Sequence, residues 1–512
     1  MSAARRRLTL IAAVVAVAAV AVVVVLVARG GDDDGPRRSA AATTKRPAPQ
    51  PALRSRPDLR PPKVDVLTPA RGTKPGLMLV APKKVYGAQE IPNEQQGPML
   101  VDDEGRVRWF HPVPDGEEAY DLRVQRLDGK PVITWWQGRA VRGSGQGVGM
   151  IYDTSYQPVA RVEPAGGAIA DIHEFLLTDR GTALLIIYES GVRRDLSGIG
   201  GKRDAKVVDG IIQEVDVKTG KVLFEWSALD HIDVSESHEP LDKLYIDSWD
   251  YVHFNSVEED VDGNLIVSAR HTWAVYKIDR DTGEVIWRLG GKRSDFPLSD
   301  DDRFSYQHDA RVEGRNRVRI FDNAAASEKV RPQSRVVTYE LDPEAKTAKL
   351  VRTIEHPDKV SSGTQANAQL LEDGHMFVGW GSQGRFSEFG PDGDLLFDAR
   401  VQRGFDSYRA YRAPWRSSRH GQPAVAVERK DGRTTAYASW NGSTEVQSWQ
   451  VLTGSSPERL RPVGDRVDWD GLETALQVED PQAYVAVRAY DGDGRAIGDS
   501  PAERLDEDGG SR

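Results

Sequence analysis

The chain carries ten histidines, at positions 111, 173, 231, 238, 253, 271, 308, 356, 375 and 420. Three of them, His173, His253 and His308, stand at the same place: each opens the first strand of a hairpin. Imidazole near neutral pH serves as nucleophile, general acid or base, or metal ligand. Arg270 and His271 end the second strand of the His253 hairpin and add anion-binding capacity. Asn255, Gln307, Arg311 and Asn323 flank these positions as candidate polar lining for a substrate. His231 and His238 fall in an acidic, serine-containing insertion, and His111, His356, His375 and His420 fall in loops or turns. His173, His253 and His308 together could also hold a metal ion, but no ligand motif assigns one.

These hairpins belong to a repeating pattern. "HEFLLTDRGTALLIIYE" from His173, "HFNSVEEDVDGNLIVSAR" from His253, "HDARVEGRNRVRIFDN" from His308 and "NAQLLEDGHMFVGWG" from Asn367 resemble one another, with "YDLRVQRLDGKPVITWW" from Tyr120 a fifth. A second type alternates with them: "VDDEGRVRWF", "VDVKTGKVLFEW" and "IDRDTGEVIWRLGG" each run strand, Asp/Gly turn, strand. Most hairpin starts are about 50–60 residues apart, the spacing of four-stranded units repeated radially. Five such hairpins plus one unit built from the chain's two ends predict a six-bladed β-propeller over residues 64–430. The first strand of each blade lines the central channel, so the three phased histidines are expected to share one axis.

From residue 431 to 505, "TAYASWNGSTEVQSWQVLTG" and "AYVAVRAYDGDGRAIGDSPAERL" predict a small sandwich of immunoglobulin or fibronectin III type, followed by a tail over 506–512. At the other end, Arg5-Arg6-Arg7 precede Leu8–Ala28, in which Thr9 is the single polar residue. About 20 apolar residues cross a bilayer core. The arginines place residues 1–7 in the cytoplasm and the rest outside, an uncleaved anchor in the cell membrane. Residues 29–63, rich in Pro, Ala, Arg and Asp, read as a disordered tether.

Composition sets the remaining bounds. The chain of 512 residues has a formal net charge of −10 and no strongly basic segment, which argues against nucleic acid as partner. It has no cysteine, so thiol catalysis, zinc–thiolate sites, iron–sulfur clusters and disulfides are excluded. "RGSGQGVG" at 142–149 precedes a strand rather than a helix, so it is no phosphate loop, and no cofactor is assigned.

The stretch "WDYVHFNSV…NLIVSARHTWAVYKIDRDTGEVIWRLGG", followed by "FSYQHDAR…VRIFDN", resembles the arylsulfate sulfotransferase (arylsulfotransferase) family of β-propeller proteins. "DIHEFLLTDRGTALLIIYE", "DGIIQEVDVKTGKVLFEW" and "YASWNGSTEVQSWQVL" are similar to a branch common in actinobacteria and fungi. The resemblance runs from about Gly97 to Leu452. It implies transfer of a sulfuryl group from a phenolic ester to a phenol without a nucleotide sulfate donor, through a sulfohistidine. His253 matches the family's "H-x-N-S" segment, His308 its "Q-H" segment and Arg270-His271 its "S-R-H" strand end. The family's arginine after "FDN" has no counterpart in "FDNAAASEK". Its nucleophilic histidine belongs to the next repeat, which here reads "SSGTQANAQLLEDG", with Ala368 or a neighbour in its place. Two readings follow. The protein is a sulfotransferase with His253, His308 and His173 as its catalytic centre, or it is a propeller that keeps the fold as a binding or scaffold module.

Overall fold

The computed structural model describes residues 52–85, 92–141, 143–324, 330–418 and 421–505. Among the described residues the fold is all-β, and helical content is confined to short 3-10 turns. No helix among the described residues is long and apolar enough to cross a membrane. The expected span at Leu8–Ala28 lies outside the described residues.

The local rule that makes strands is visible in the hairpin Phe254–Glu259 and Leu265–Ala269. β-branched and aromatic side chains favour the pleated backbone, and "DVDGN" supplies the reversal. There the Asp260 backbone N–H donates to Asn264 O at 2.7 Å, and Gly263 adopts φ 85°, which a side chain would disfavour. Two more strands, Ala274–Ile278 and Val285–Gly290, complete a four-stranded antiparallel sheet.

The same unit recurs. His308–Glu313, Arg317–Asp322, Arg335–Asp342 and Thr347–Glu355 form one; Asn367–Leu370, Met376–Gly379, Arg385–Phe389 and Leu395–Val401 form the next, with Val64–Thr68 added at its edge. A ten-stranded sheet contains two further quartets, Glu118–Leu127 to Pro158–Val162 and Ala170–Leu177 to Val222–Ser227, bridged at Ala170 and Gly147. In the last quartet the late strand Ala410–Ala413 pairs with the early strand Leu77–Val80, joined by Met99–Val101 and Val107–Phe110.

The inner strands of these six quartets touch in cyclic order: Glu118–Leu127, Ala170–Leu177, Phe254–Glu259, His308–Glu313, Asn367–Leu370, Ala410–Ala413, and back to the first. Side-chain amides stitch neighbours together. Asn367 Nδ2 donates to Ala410 O and its Oδ1 accepts from Ala410 N, both at 2.9 Å. Asn255 Nδ2 donates to Gln307 O at 2.7 Å.

Where the inner strands converge, the interior is ionic. Arg123, Arg311 and Arg409 interleave with Asp121, Glu174 and Asp309, all buried. Arg311 Nη2 lies 2.7 Å from Glu174, Arg409 Nη1 lies 3.1 Å from both Glu174 and Asp121, and Arg123 contacts Asp121 and Glu174. Burying a charge is costly unless it is paired, and here each charge has several partners. The three arginines hold the Glu174 carboxyl well below the usual range despite its burial.

Two boundaries differ from expectation. Ala424–Lys430 pairs with Arg433–Ser439, so the C-terminal unit begins before residue 431. Its three-stranded sheet and a five-stranded sheet enclose a core that includes Trp449, Val451, Leu476 and Val487. The tether also ends early. Leu59 is buried in a core with Met78 and Phe397, and the Arg54 and Ser55 backbone N–H groups donate to the Glu473 carboxylate at 2.9 and 2.6 Å. Leu53 and Leu59, apolar residues inside the proline-rich stretch, supply the anchor.

Candidate active site

The phased histidines converge. The His173 and His253 rings are 4.8 Å apart and nearly perpendicular, and the His253 and His271 rings are 4.6 Å apart. His308 joins them across Tyr408, whose ring lies 6.5 Å from His308 and 5.7 Å from His173. Tyr188 closes the other side, 5.5 Å from His173 and 5.4 Å from His253.

Each ring is oriented by a different partner. His173 Nδ1 contacts Asp171 Oδ1. His253 Nδ1 is 2.5 Å from Asp250 Oδ2, while its backbone N–H donates to Asp250 Oδ1 at 3.0 Å. That second bond stabilises a left-handed backbone at His253, φ 52°, a conformation a non-glycine residue holds only when its surroundings fix it. His271 Nδ1 donates to Asp250 O at 2.6 Å, because its Nε2 accepts from Arg270 Nη1 at 2.9 Å. His308 Nδ1 donates to Asn323 Oδ1 at 2.7 Å, and its Nε2 accepts the Gln365 backbone N–H at 3.2 Å.

Arg270 is the unusual cation. It is buried, stacks 5.0 Å from the Tyr306 ring, and donates to His271 Nε2 and to Gly363 O. None of these partners is a carboxylate, and its Nε has no hydrogen-bond partner among the described residues. Burial lowers its pKa from the usual arginine value. Burial likewise pushes the His253, His271 and His308 pKa values well down, and neighbouring Arg270 pushes each in the same direction. These imidazoles are therefore uncharged bases at neutral pH. Burial raises the Asp250 carboxyl.

The remaining predicted lining residues serve the framework. Gln307 Nε2 donates to Ser268 Oγ and to the carbonyls of Ala269 and Ala274. Asn255 is held on Gln307 O, and Asn323 Nδ2 donates to Ser362 O and Gln365 O. Arg311 is not a free substrate ligand, because Glu174 and Asp309 neutralise it within the ionic interior.

Several site residues had no place in the sequence reading. Asp171 and Asp250 stand two and three residues before a phased histidine, a spacing visible in hindsight. Tyr188 lies on Thr182–Arg194, the second strand of the His173 hairpin, whereas Tyr408 comes from the segment just before Ala410–Ala413, and only folding brings it in. Asp250, His253 and His271 bring three potential metal donors together. A cation fits poorly there, because the Arg270 guanidinium donates to His271 Nε2 and the other His271 nitrogen is engaged by a carbonyl. The second such cluster, His356, Asp358 and Asp398, is bridged by Arg385, 2.6 Å from Asp358.

The model of the family described as arylsulfotransferase (ASST) matches residues 123–402, which include all of these histidines and Arg270. The chain belongs to the arylsulfotransferase family. No curated protein matches the chain. Among solved structures, a protein of unknown function from Bacteroides caccae is similar at 12% identity and a TM-score of 0.40, over 66% of this chain and 98% of that one. A catalytically inactive virginiamycin B lyase from Staphylococcus aureus, with quinupristin, is similar at 9% identity and 0.33, over 74% and 97%. A Lactobacillus plantarum protein is similar at 11% and 0.35, over 79% and 99%.

Proposed function

We propose that this arylsulfotransferase-family protein transfers a sulfuryl group from a phenolic sulfate ester to a phenol, without a nucleotide sulfate donor. The chemistry runs through the histidines of a channel in a six-bladed propeller. The observation that carries the reading is Arg270, a buried guanidinium without a carboxylate partner, facing a cluster of uncharged imidazoles. Arg270 makes no direct ion pair, although the buried Glu239 and Asp250 carboxylates lie near it. A buried guanidinium with no carboxylate on its N–H groups can receive an anion, and a sulfuryl group develops charge on its oxygens during transfer. The imidazoles supply nucleophilic and proton-carrying nitrogens.

The cyclic contact order of six four-stranded units supports the six-bladed architecture. The two packed C-terminal sheets support the immunoglobulin or fibronectin III comparison. The apolar run Leu8–Ala28 supports a single-pass anchor with the folded domains outside the cell membrane.

One observation favours a second reading, a binding module without turnover. The place where the family's resemblance implies a nucleophilic histidine holds Ala368 or a neighbour, and nearby the Gln365 backbone N–H occupies His308 Nε2. The full chain, purified in detergent and given 4-nitrophenyl sulfate, decides between them. Phenol-dependent release of 4-nitrophenol with formation of phenyl sulfate is expected. Release that does not depend on phenol, or none, leaves the binding module.

A further inference from the structure

The four histidines do not offer equivalent nitrogens. Both nitrogens of His308 are engaged, Nδ1 by Asn323 and Nε2 by the Gln365 N–H. Both nitrogens of His271 are engaged, by Asp250 O and by Arg270. His173 and His253 each direct Nδ1 to an aspartate, and their Nε2 atoms have no hydrogen-bond partner among the described residues. Between these two, position decides. His253 stacks next to His271, whose Nε2 receives the Arg270 N–H, whereas His173 lies on the far side of His253. Some 14% of the His253 side chain reaches solvent, against 4% for His173.

We propose that His253 Nε2 is the atom that accepts the sulfuryl group in this chain, with Asp250 as its positioning residue and His173 as the proton carrier. The assignment rests on the sulfotransferase reading. It moves the covalent step away from the repeat that begins at Asn367, where the family resemblance implies it and where this chain has no histidine. In the first half-reaction the Nε2 lone pair attacks sulfur and the sulfur–oxygen ester bond breaks. The departing phenolate oxygen takes a proton from Nε2–H of protonated His173. His253 keeps Nδ1–H and becomes an N-sulfoimidazolium, whose positive charge faces the Asp250 carboxylate. In the second half-reaction neutral His173 removes the proton of the acceptor phenol. The phenol oxygen attacks sulfur, the sulfur–nitrogen bond breaks, and His253 returns to its starting form.

Three features of the pocket fit these roles. Burial keeps His253 unprotonated at neutral pH, so its lone pair is free. Asp250 grips both the Nδ1 and the backbone N–H of His253, which fixes the tautomer with Nε2 as acceptor. The left-handed backbone at His253 is the strained conformation that such a grip can sustain.

The test uses the full-length protein and two readouts. The protein is mixed with 4-nitrophenyl sulfate, quenched in alkali, digested and analysed by mass spectrometry. One sulfuryl group is expected on the peptide that carries His253, and Asp250→Asn is expected to lower its yield at least about ten-fold with an unchanged Tm. Separately, diethyl pyrocarbonate is expected to modify His253 first, roughly ten-fold or more ahead of His271 and His308, whose nitrogens are occupied. A sulfuryl adduct on His173 or His308 overturns the assignment and leaves the sulfotransferase reading standing. No adduct on any histidine, with His253 still first to react with pyrocarbonate, overturns the sulfotransferase reading and keeps His253 as the pocket's free nucleophile. Equal pyrocarbonate reactivity across the cluster, or faster reaction at His308, overturns the assignment by itself.

Discussion

Arg270 donates through Nη1 to Nε2 of His271 at 2.9 Å, so two consecutive residues of one strand end aim at a single place in the pocket. The usual alternation of side chains along a strand is broken here, because the strand stops at Ala269 and the chain turns. The turn is what allows neighbours to cooperate. It also ties the Arg270 guanidinium to the imidazole cluster through one short contact.

Replacing Arg270 by methionine is expected to separate function from stability. Loss of one preorganised donor to a developing anion lowers turnover by about 10²–10³-fold. The loss in stability is expected to be small, because Arg270 makes no direct ion pair and its burial is relieved while Glu239 and Asp250 lose only a nearby charge. Thermal unfolding in sulfate against chloride at matched ionic strength checks this. Sulfate raises the Tm of wild type more than that of Arg270→Met, and equal responses would reject an anion site at Arg270.

Stability is expected to fall as pH drops below the ordinary histidine range. The folded-state pKa values of His253, His271 and His308 are depressed, so between those values and about 6.5 the unfolded chain binds more protons. Their contribution is complete above about pH 6.5 and is lost as pH falls toward the folded values. Each group adds up to about 1.4 kcal/mol per pH unit in that window. Asp250, raised by burial, has the opposite sign and belongs to the range above its unfolded value. Denaturant melts at closely spaced pH values give the slope, and His308→Gln is expected to reduce it by roughly one proton's worth.

The ionic interior is expected to tolerate no single deletion. Arg409 has no exposed side-chain surface and touches Asp121, Glu174 and Asp309. Arg409→Met leaves three buried carboxylates with less compensation and costs about 3–5 kcal/mol in equilibrium unfolding. A loss below about 1 kcal/mol would show that water replaces the guanidinium.

Ring closure is expected to depend on one amide. Asn367 makes both of its bonds to the backbone of Ala410, on the strand that pairs with the early strand Leu77–Val80. Asn367→Ala leaves a buried N–H and a buried carbonyl without partners, a loss of about 2–6 kcal/mol at about one to three per group. Hydrogen exchange should show the added opening at 410–413 before other inner strands. Uniform exchange across all inner strands would place the weak point elsewhere.

The repeating hairpins were legible because strand chemistry is local. Period-two apolar residues and Asp/Gly turns mark each unit regardless of what surrounds it, and His173, His253 and His308 all stand near the start of an inner strand, although His173 is inside Ala170–Leu177, His253 precedes Phe254–Glu259 and His308 begins His308–Glu313. Arg311 shows the limit of that inference. Its spacing from His308 looks like pocket lining, but which anion it meets depends on Glu174, 137 positions away in the chain. The amide N–H groups of Asn255 and Gln307 are likewise taken by backbone carbonyls that only folding presents.

The sequence by itself determined the all-β class, the repeat, the phase of the three histidines and the family, because each follows from residue types at fixed local spacing. Only the tertiary structure decided which imidazole nitrogens are occupied, that Arg270 makes no direct ion pair, and that Tyr408 and Asp250 lie beside the histidines. Those properties depend on contacts between residues far apart in the chain, as between Tyr408 and His173, or on a backbone turn at His253 that no propensity specifies.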